Sequence, residues 1–297
     1  MPALIDLRRR IKSVRNTQQI TQAMKTVATA KFKKAQRIVL EARPYWHNHP
    51  ELMEEIALWA QRESHPLLEV RKEKKILGLV ISSDKGLCGA FNANLLEGAR
   101  EFLKEKSKEA EIRLILIGKK AEFFFKKLPY TLDRTYSDYL TGFSDEDLED
   151  LARHVIRHYV FCHLDAVYVL YNEFKSILAP RVTVMKLLPI ETEGAAAEKK
   201  ETADQGSEFP MPPDWEPEAV QILKSLLPQY VENQIKHFFF ESTAAEYAAR
   251  MMAMDNATQN AEDLIESLTL VLNKIRQATI TKELLEIMSA VEALAKK

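Results

Sequence analysis

Hydrophobic and polar positions along this 297-residue chain follow two different rhythms. Near the N-terminus, Leu4, Leu7, Ile11, Val14, Gln18, Thr21, Ala28, Phe32, Ala35 and Val39 advance by alternating steps of three and four, with Lys25 taking one step. Near the C-terminus, Leu264, Leu268, Val271, Ile275 and Ala278 do the same, and Leu285, Met288 and Val291 extend that face. A repeat averaging 3.5 residues keeps one seam against a partner helix while the two supercoil. Neither Gly nor Pro, the residues that punctuate a chain most strongly, occurs from Ala3 to Arg43 or from Gln229 to Lys297. Helices of those lengths would be about 60 and about 100 Å long, and the longer one must project from any small domain. The alanine-rich stretch STAAEYAARMMAMDNATQNA, just before the C-terminal repeat, lets helix axes approach closely. An ordinary helical bundle would need several helices of similar length, and the middle of the chain offers only shorter ones. The two terminal helices are therefore expected to pair antiparallel with each other.

The middle has the second rhythm, and it holds all eight glycines. ILGLVIS (76–82), IRLILIG (112–118), DAVYVLYNEF (165–174) and RVTVMKLLPI (181–190) are short apolar runs rich in β-branched residues, the pattern of strands covered on both faces. YTLDRTY is a weaker strand candidate. ANLLEGAREFLKEKSKEA reads as a helix between the first two runs, and SDEDLEDLARHVIRHY as another, opened by Ser144 with acids in its first turn. Alternating strands and helices predict a parallel or mixed sheet, doubly wound with right-handed crossovers. The expected fold is thus α/β with a long antiparallel coiled coil, its N- and C-terminal helices paired and a small Rossmann-like sheet domain between them. The expected boundaries are 1–70 for the first helix, 71–190 for the sheet domain, 191–216 for a polar insertion and 217–297 for the last helix.

Composition narrows the function. A net charge of −1 with 46% hydrophobic residues describes a folded chain that is neither a polyanion binder as a whole nor a disordered one. Cys88 and Cys162 make no disulfide framework, which points to a reducing compartment. The opening MPALIDLRRRIKSVRN has no apolar core of a secretory signal, and no run approaches the roughly 18 apolar residues of a membrane span. Charge is uneven, however. Residues 1–40 hold ten Lys or Arg and a single acid, Asp6. A solvated helix usually mixes signs to gain i,i+4 pairs, so this one suits an acidic partner or a polyanion. Basic-helix nucleic-acid binders keep their basic segment apart from the seam, whereas here both share the same residues. An acidic protein surface is the better fit.

Candidate catalytic groups are sparse. SSDKGLCGAFN follows the first strand and opens a helix, where phosphate loops sit, but it matches neither dinucleotide nor P-loop spacing. Gly86, Leu87, Cys88 and Gly89 read better as a tight strand-to-helix turn. Asp150, His154 and His158 share a helix face, with Cys162 and His163 nearby, yet no zinc-site spacing is complete, and exposed helix histidines are the expected reading. His47 and His49, beside Pro44 and Pro50, suggest a bend. No group resembles a nucleophile paired with its base. No cofactor, metal or catalytic residue is predicted. Two other readings stand beside a mechanical role: a small α/β nucleotide-binding enzyme, and a coiled-coil nucleic-acid-binding protein.

Three segments carry a resemblance. IKSVRNTQQITQAMKTVATAKFKKAQ, SSDKGLCGAFNANL and ARMMAMDNATQNAEDLIESLTLVLNKIRQATITKELLEI, in this order, resemble the signature segments of the F1 γ subunits of ATP synthases. The resemblance implies a rotor: a coiled coil inside a ring of three α and three β subunits, and an α/β domain on the c ring beside the ε subunit. It implies that proton flow turns the c ring and that ATP chemistry occurs in β. By the same resemblance Met24 faces an acidic loop of β, where a basic substitution impairs coupling. Arg250, Gln277, Thr281 and Glu283 match polar shaft positions that touch β or α, and Arg8, Arg9 and Arg10 belong to the basic face expected to meet the ring. Gly86, Leu87, Cys88 and Gly89 match the globular-domain signature, whose implied role is structural. Plant-type relatives carry a two-cysteine regulatory insert where this chain has 191–218 without cysteine, so no thiol switch is expected. The implied place is the cytoplasmic side of a bacterial inner membrane, peripheral and held through the complex.

Overall fold

The structure, a computed structural model, describes residues 2–59, 65–137, 144–176, 181–190 and 219–295. The polar insertion expected at 191–216 lies outside these residues, as does the place of the plant-type insert. Two long helices bracket the chain, α1 (Pro2–Trp59) and, at the far end, a 77-residue helix running Ala219–Ala295. Between them lie β1 (Lys75–Ile81), α2 (Phe91–Lys106), β2 (Glu111–Ile117), α3 (Lys119–Phe125), β3 (Thr131–Tyr136), α4 (Asp145–Phe161), β4 (Ala166–Glu173) and β5 (Arg181–Leu188). The last helix is therefore α5. The chain divides into two compact units, Met1–Ala30 with Arg250–Lys297, and Lys31–Ala249.

In the larger unit one sheet has strand order β3-β2-β1-β4-β5. β1 pairs in parallel with β2 and β4, β2 in parallel with β3, and β4 antiparallel with β5. The sheet is mixed, as the apolar runs predict. Alternation along β1 sends Leu77, Leu79 and Ile81 to one face and Val80 to the other. The first face is covered by α4 through Leu148, Leu151 and Val155, and by the start of α5 through Leu223, Leu227, Val231 and Ile235. The second is covered by α2 and α3 through Leu95, Ala99, Leu103 and Phe125. Covering on both faces is why β1 and β4 read as unbroken apolar runs. β5 and β3, at the edges, are only partly buried, and β3 accordingly gave the weakest sequence signal. Ser144 caps α4 with a reciprocal box: its hydroxyl accepts from the Asp147 amide while Asp147 accepts from the Ser144 amide.

Two elements differ from expectation. Helix α3, seven residues long, went unpredicted because KKAEFFF is too short to show a period. A bend was expected near Pro44 and Pro50, yet α1 continues to Trp59, and α5 likewise runs through Pro228. A helical proline forfeits a backbone hydrogen bond. Tertiary packing offsets that loss near Pro44: Trp46 is buried against His237 of α5, with ring centroids 4.3 Å apart. Beside Pro228, Leu227 and Val231 are both buried in the sheet-facing core.

The smaller unit is an antiparallel helix pair. Lys25 Nζ meets Asp255 Oδ1 at 2.5 Å, and Thr258 Oγ1 lies 2.8 Å from Thr21 Oγ1. Moving forward along α1 thus moves backward along α5. The α1 positions predicted to form the seam, from Leu4 to Val14 through Thr21, Lys25 and Ala28, are all buried or half-buried.

Candidate functional site

The α5 side of the pair corrects the sequence reading. Its covered positions include Met254, Thr258, Ala261, Ile265, Leu268, Leu272, Ile275 and Thr279, still in steps of three and four. Leu268 and Ile275 were foreseen, but Leu264, Val271 and Ala278 are exposed. This stretch of α5 is apolar on two adjacent faces, and periodicity alone cannot say which one meets α1. Polar pairs at Thr21–Thr258 and Lys25–Asp255 sit along the seam and mark its register. Carried to the start of α1, that register puts Leu4 beside about Ile275. Beyond about residue 280 no described helix lies opposite α5, and Leu284, Leu285, Ile287, Met288 and Val291 are each more than half exposed. The expectation that Leu285, Met288 and Val291 extend the seam is corrected by that geometry.

In open α/β sheets, ligands bind outside the carboxyl ends of the strands where strand order reverses, here between β1 and β4. In this protein that edge is closed by the chain's own helices. Glu241 of α5 accepts a hydrogen bond from the Phe174 amide just past β4 (3.0 Å), and Ser242 donates to the Ile81 carbonyl at the end of β1 (3.3 Å). Arg43 of α1 binds Glu241 through Nε (3.2 Å) and Nη2 (3.1 Å), and its Nη2 also reaches the Phe174 carbonyl (2.8 Å). Burial pushes the Glu241 carboxyl above the usual carboxylate range, and the Arg43 charge and the Phe174 amide only partly offset it. Ala244, Ala245 and Ala248 are buried on the same helix, the close approach that the alanine run predicts.

The loop after β1 is tied by polar contacts, both within itself and to the start of α3. The Ser83 hydroxyl lies 2.7 Å from the Lys85 carbonyl, and Asn92 holds both the Ser83 amide (3.1 Å) and the Cys88 sulfur (3.1 Å). Asp84 accepts from the Lys119 amide at 3.1 Å. Leu87 and Gly89 take positive φ, at 63° and 58°. Gly118 is also left-handed, and a Cβ there would lie 2.5 Å from the Ser82 carbonyl oxygen, which only glycine tolerates. Cys88 is buried, Leu87 and Gly89 are exposed and Gly86 is half-exposed.

The other predicted residues fall as follows. Arg8, Arg9 and Arg10 are exposed, Met24 is half-buried, and Gln277, Thr281 and Glu283 are exposed on α5. Arg250, at 9% exposure, offers little surface to another subunit. His154 and His158 are not the exposed helix histidines expected. Their side chains are about four-fifths covered, and their partner is Asp133 of β3. Asp150, which shares their face in sequence, instead binds Arg134 at 2.9 Å. Cys162 and His163 are exposed. The involvement of Asp133 had no sequence signal, because it arises from the packing of β3 beside α4.

A sheet closed at its ligand edge by its own terminal helices, in a chain that also forms an antiparallel two-helix coiled coil, defines a protein that combines an α/β unit with a long helix pair. Comparison with known proteins agrees. The ATP synthase family pattern matches residues 3–294. The ATP synthase gamma chain of Desulforudis audaxviator is 44% identical over 99% of this chain and 100% of the relative, and that of Pelotomaculum thermopropionicum is 43% identical over the same shares. Among solved structures, a chain of the Euglena gracilis mitochondrial ATP synthase (OSCP/F1/c-ring, rotational state 3) superposes with a TM-score of 0.65 at 19% identity, covering 99% of this chain and 95% of that one. A chain of the Tetrahymena thermophila mitochondrial ATP synthase central stalk/c-ring gives 0.59 at 23% identity, over 80% and 99%. At such identities the two structures speak for the fold alone. This chain belongs to the ATP synthase gamma chain family.

Proposed function

We propose that this chain is the rotor of an F-type ATP synthase, a non-catalytic central-stalk subunit. It couples rotation of a membrane c ring to conformational change in a ring of three α and three β subunits, with an ε subunit beside its α/β domain. Family membership supports the rotor role, and the observation that carries it is the division of labour between helices and sheet. The helices that close the sheet's ligand edge are the same two that pair as a coiled coil, so the body reads as an anchor for the shaft and not as a nucleotide site. No described helix is long and apolar enough to cross a membrane, so attachment to the membrane would run through the complex. We place that complex at the cytoplasmic side of a bacterial inner membrane.

In this reading Met24, Arg8, Arg9, Arg10, Gln277, Thr281 and Glu283 meet the α and β subunits, with Arg250 a weaker candidate. Gly86, Leu87, Cys88 and Gly89 hold the first turn of the body. A shaft turning in a sleeve needs contacts that exchange readily, and exposed ion pairs, at about 0–1 kcal/mol each, meet that need. Co-expression with α and β subunits tests the assignment: one copy should co-purify in a complex with ATPase activity. Arg8→Ala, Arg9→Ala and Arg10→Ala together should lower torque or coupling modestly and leave assembly intact. Loss of assembly from any one of them would refute the weak-contact picture, and failure to co-purify at all would refute the rotor.

A further inference from the structure

A cluster apart from the paired helices and the β1 loop carries chemistry that a structural anchor does not need. His154 and His158 lie one turn apart on α4, with ring centroids 4.1 Å apart. Asp133 faces them from β3, its Oδ2 2.7 Å from His154 Nε2 and its Oδ1 3.7 Å from His158 Nδ1. One ligand atom from each residue can be chosen so that all three lie within 4.8 Å of one another.

Two further observations point to a ligand. The first is backbone geometry. Along the β2–β3 ladder Leu114 pairs with Leu132 and the next residue, Ile115, pairs with Arg134, so Asp133 is the extra residue of a bulge. Bulges re-aim side chains, and they are frequent beside functional sites. The second is an orphaned atom. A His–Asp hydrogen bond accounts for His154, but His158 Nδ1 is buried with no hydrogen-bond partner, and 3.7 Å is too long to be one. Such an atom is costly to bury unless something fills its lone pair.

We propose that Asp133, His154 and His158 bind one divalent transition-metal ion of the zinc class, with a fourth position left to water, and so clip edge strand β3 to helix α4. Zinc bonds of about 2.0–2.1 Å at tetrahedral angles put ligand atoms about 3.3 Å apart. The two imidazoles already face one carboxylate at distances on either side of that spacing, 2.7 Å to Oδ2 and 3.7 Å to Oδ1, with one ligand atom from each residue within 4.8 Å of the others. Two imidazoles and one carboxylate suit zinc or cobalt better than magnesium or calcium, which favour all-oxygen sites.

The neighbouring charges permit it. The two nearby guanidinium groups are already committed, Arg134 to Asp150 and Tyr136, and Arg113 to Glu111. Asp133 therefore remains as the carboxylate facing the histidines.

The test uses the full-length chain, stripped with a chelator and titrated with Co²⁺ or Zn²⁺ alone. One Co²⁺ per chain should bind with the intense visible bands of a four-coordinate site, and Zn²⁺ should displace it and raise the melting temperature. His154→Asn and His158→Asn should each weaken binding by more than about tenfold, while His163→Asn, on the exposed neighbour, should leave it unchanged. Circular dichroism in chelator shows whether each variant is folded. Imidazole nitrogen chemical shifts of the wild-type chain read the same ligation without mutation: on Zn²⁺ addition His154 Nε2 and His158 Nδ1 should move and His163 should not. Absence of cobalt uptake by the stripped wild-type chain, or uptake that survives both ligand variants, overturns the proposal.

Discussion

The two units of this chain are built from the same two helices but hold together by different means. In Lys31–Ala249 the helices seal a sheet, and side chains such as Leu79, Val169, Leu227 and Ile235 are wholly buried. In Met1–Ala30 with Arg250–Lys297 the seam is narrow. Ala28, Met254, Ala261 and Leu268 are its best-covered apolar positions, and much of the contact is half-exposed. A two-helix coiled coil has no third layer to cover its flanks. The larger unit thus holds itself together, whereas the smaller one leaves side chains free to meet a surface outside the chain. That contrast is what an anchor and a shaft require.

Arg43 probes the larger unit and should give the largest effect. Arg43→Met removes the cation from beside a carboxylate that is almost fully covered, and breaking such a pair costs about 3 kcal/mol. The pH dependence has a definite sign. Glu241 already sits above the usual carboxylate range, chiefly through burial, and loss of Arg43 raises it further. A folded-state carboxyl with a raised pKa takes up a proton more readily than the unfolded chain does. The variant's deficit should therefore be largest near neutral pH and shrink as pH falls through the raised value. Urea unfolding at a series of pH values reads this directly. A deficit that grew on acidification would mean that Glu241 is held by something other than Arg43 and the Phe174 amide.

The smaller unit should respond much less to loss of its own ion pair. Lys25 and Asp255 stand 2.5 Å apart but are a third and a half exposed, so solvent screens them. A double-mutant cycle with Lys25→Met and Asp255→Asn should return a coupling of about 0–1 kcal/mol, falling as salt is added. A coupling as large as that expected at Arg43 would erase the distinction between the two units.

The sequence shows the sheet more fully than the seam, for a physical reason. A strand buried on both faces has no choice of face, so IRLILIG and ILGLVIS read correctly without knowledge of their neighbours. On α1 the choice is narrower, because charged residues such as Arg8, Arg9, Arg10 and Lys12 flank the seam and the exposed apolar residues off it, such as Ile5, Ile20 and Val27, are scattered. On α5 it is not: Leu264, Ile265, Leu270, Val271 and Leu272 offer two adjacent stripes, and only the partner helix selects Ile265 and Leu272. The histidine cluster failed in the same way. His154 and His158 were visible at helical spacing, but Asp133 joins them through a bulge in an edge strand, which no local pattern announces.

The same two-stripe character makes the end of α5 the finest test of the comparison. Past the point where α1 gives out, Leu284, Leu285 and Met288 are 57%, 59% and 69% exposed, and a helix apolar on its open faces needs a covering surface. If that surface belongs to the α and β subunits, replacing all three with Gln should leave the isolated chain almost untouched, each change falling within about 0.5 kcal/mol. The assembled complex should instead lose coupling between ATP hydrolysis and rotation, read as torque on single molecules. Destabilisation of the isolated chain by more than a few times that amount would show that the segment packs within its own molecule. The exposed stripe would then belong to the chain's own fold and not to the sleeve it is proposed to turn in.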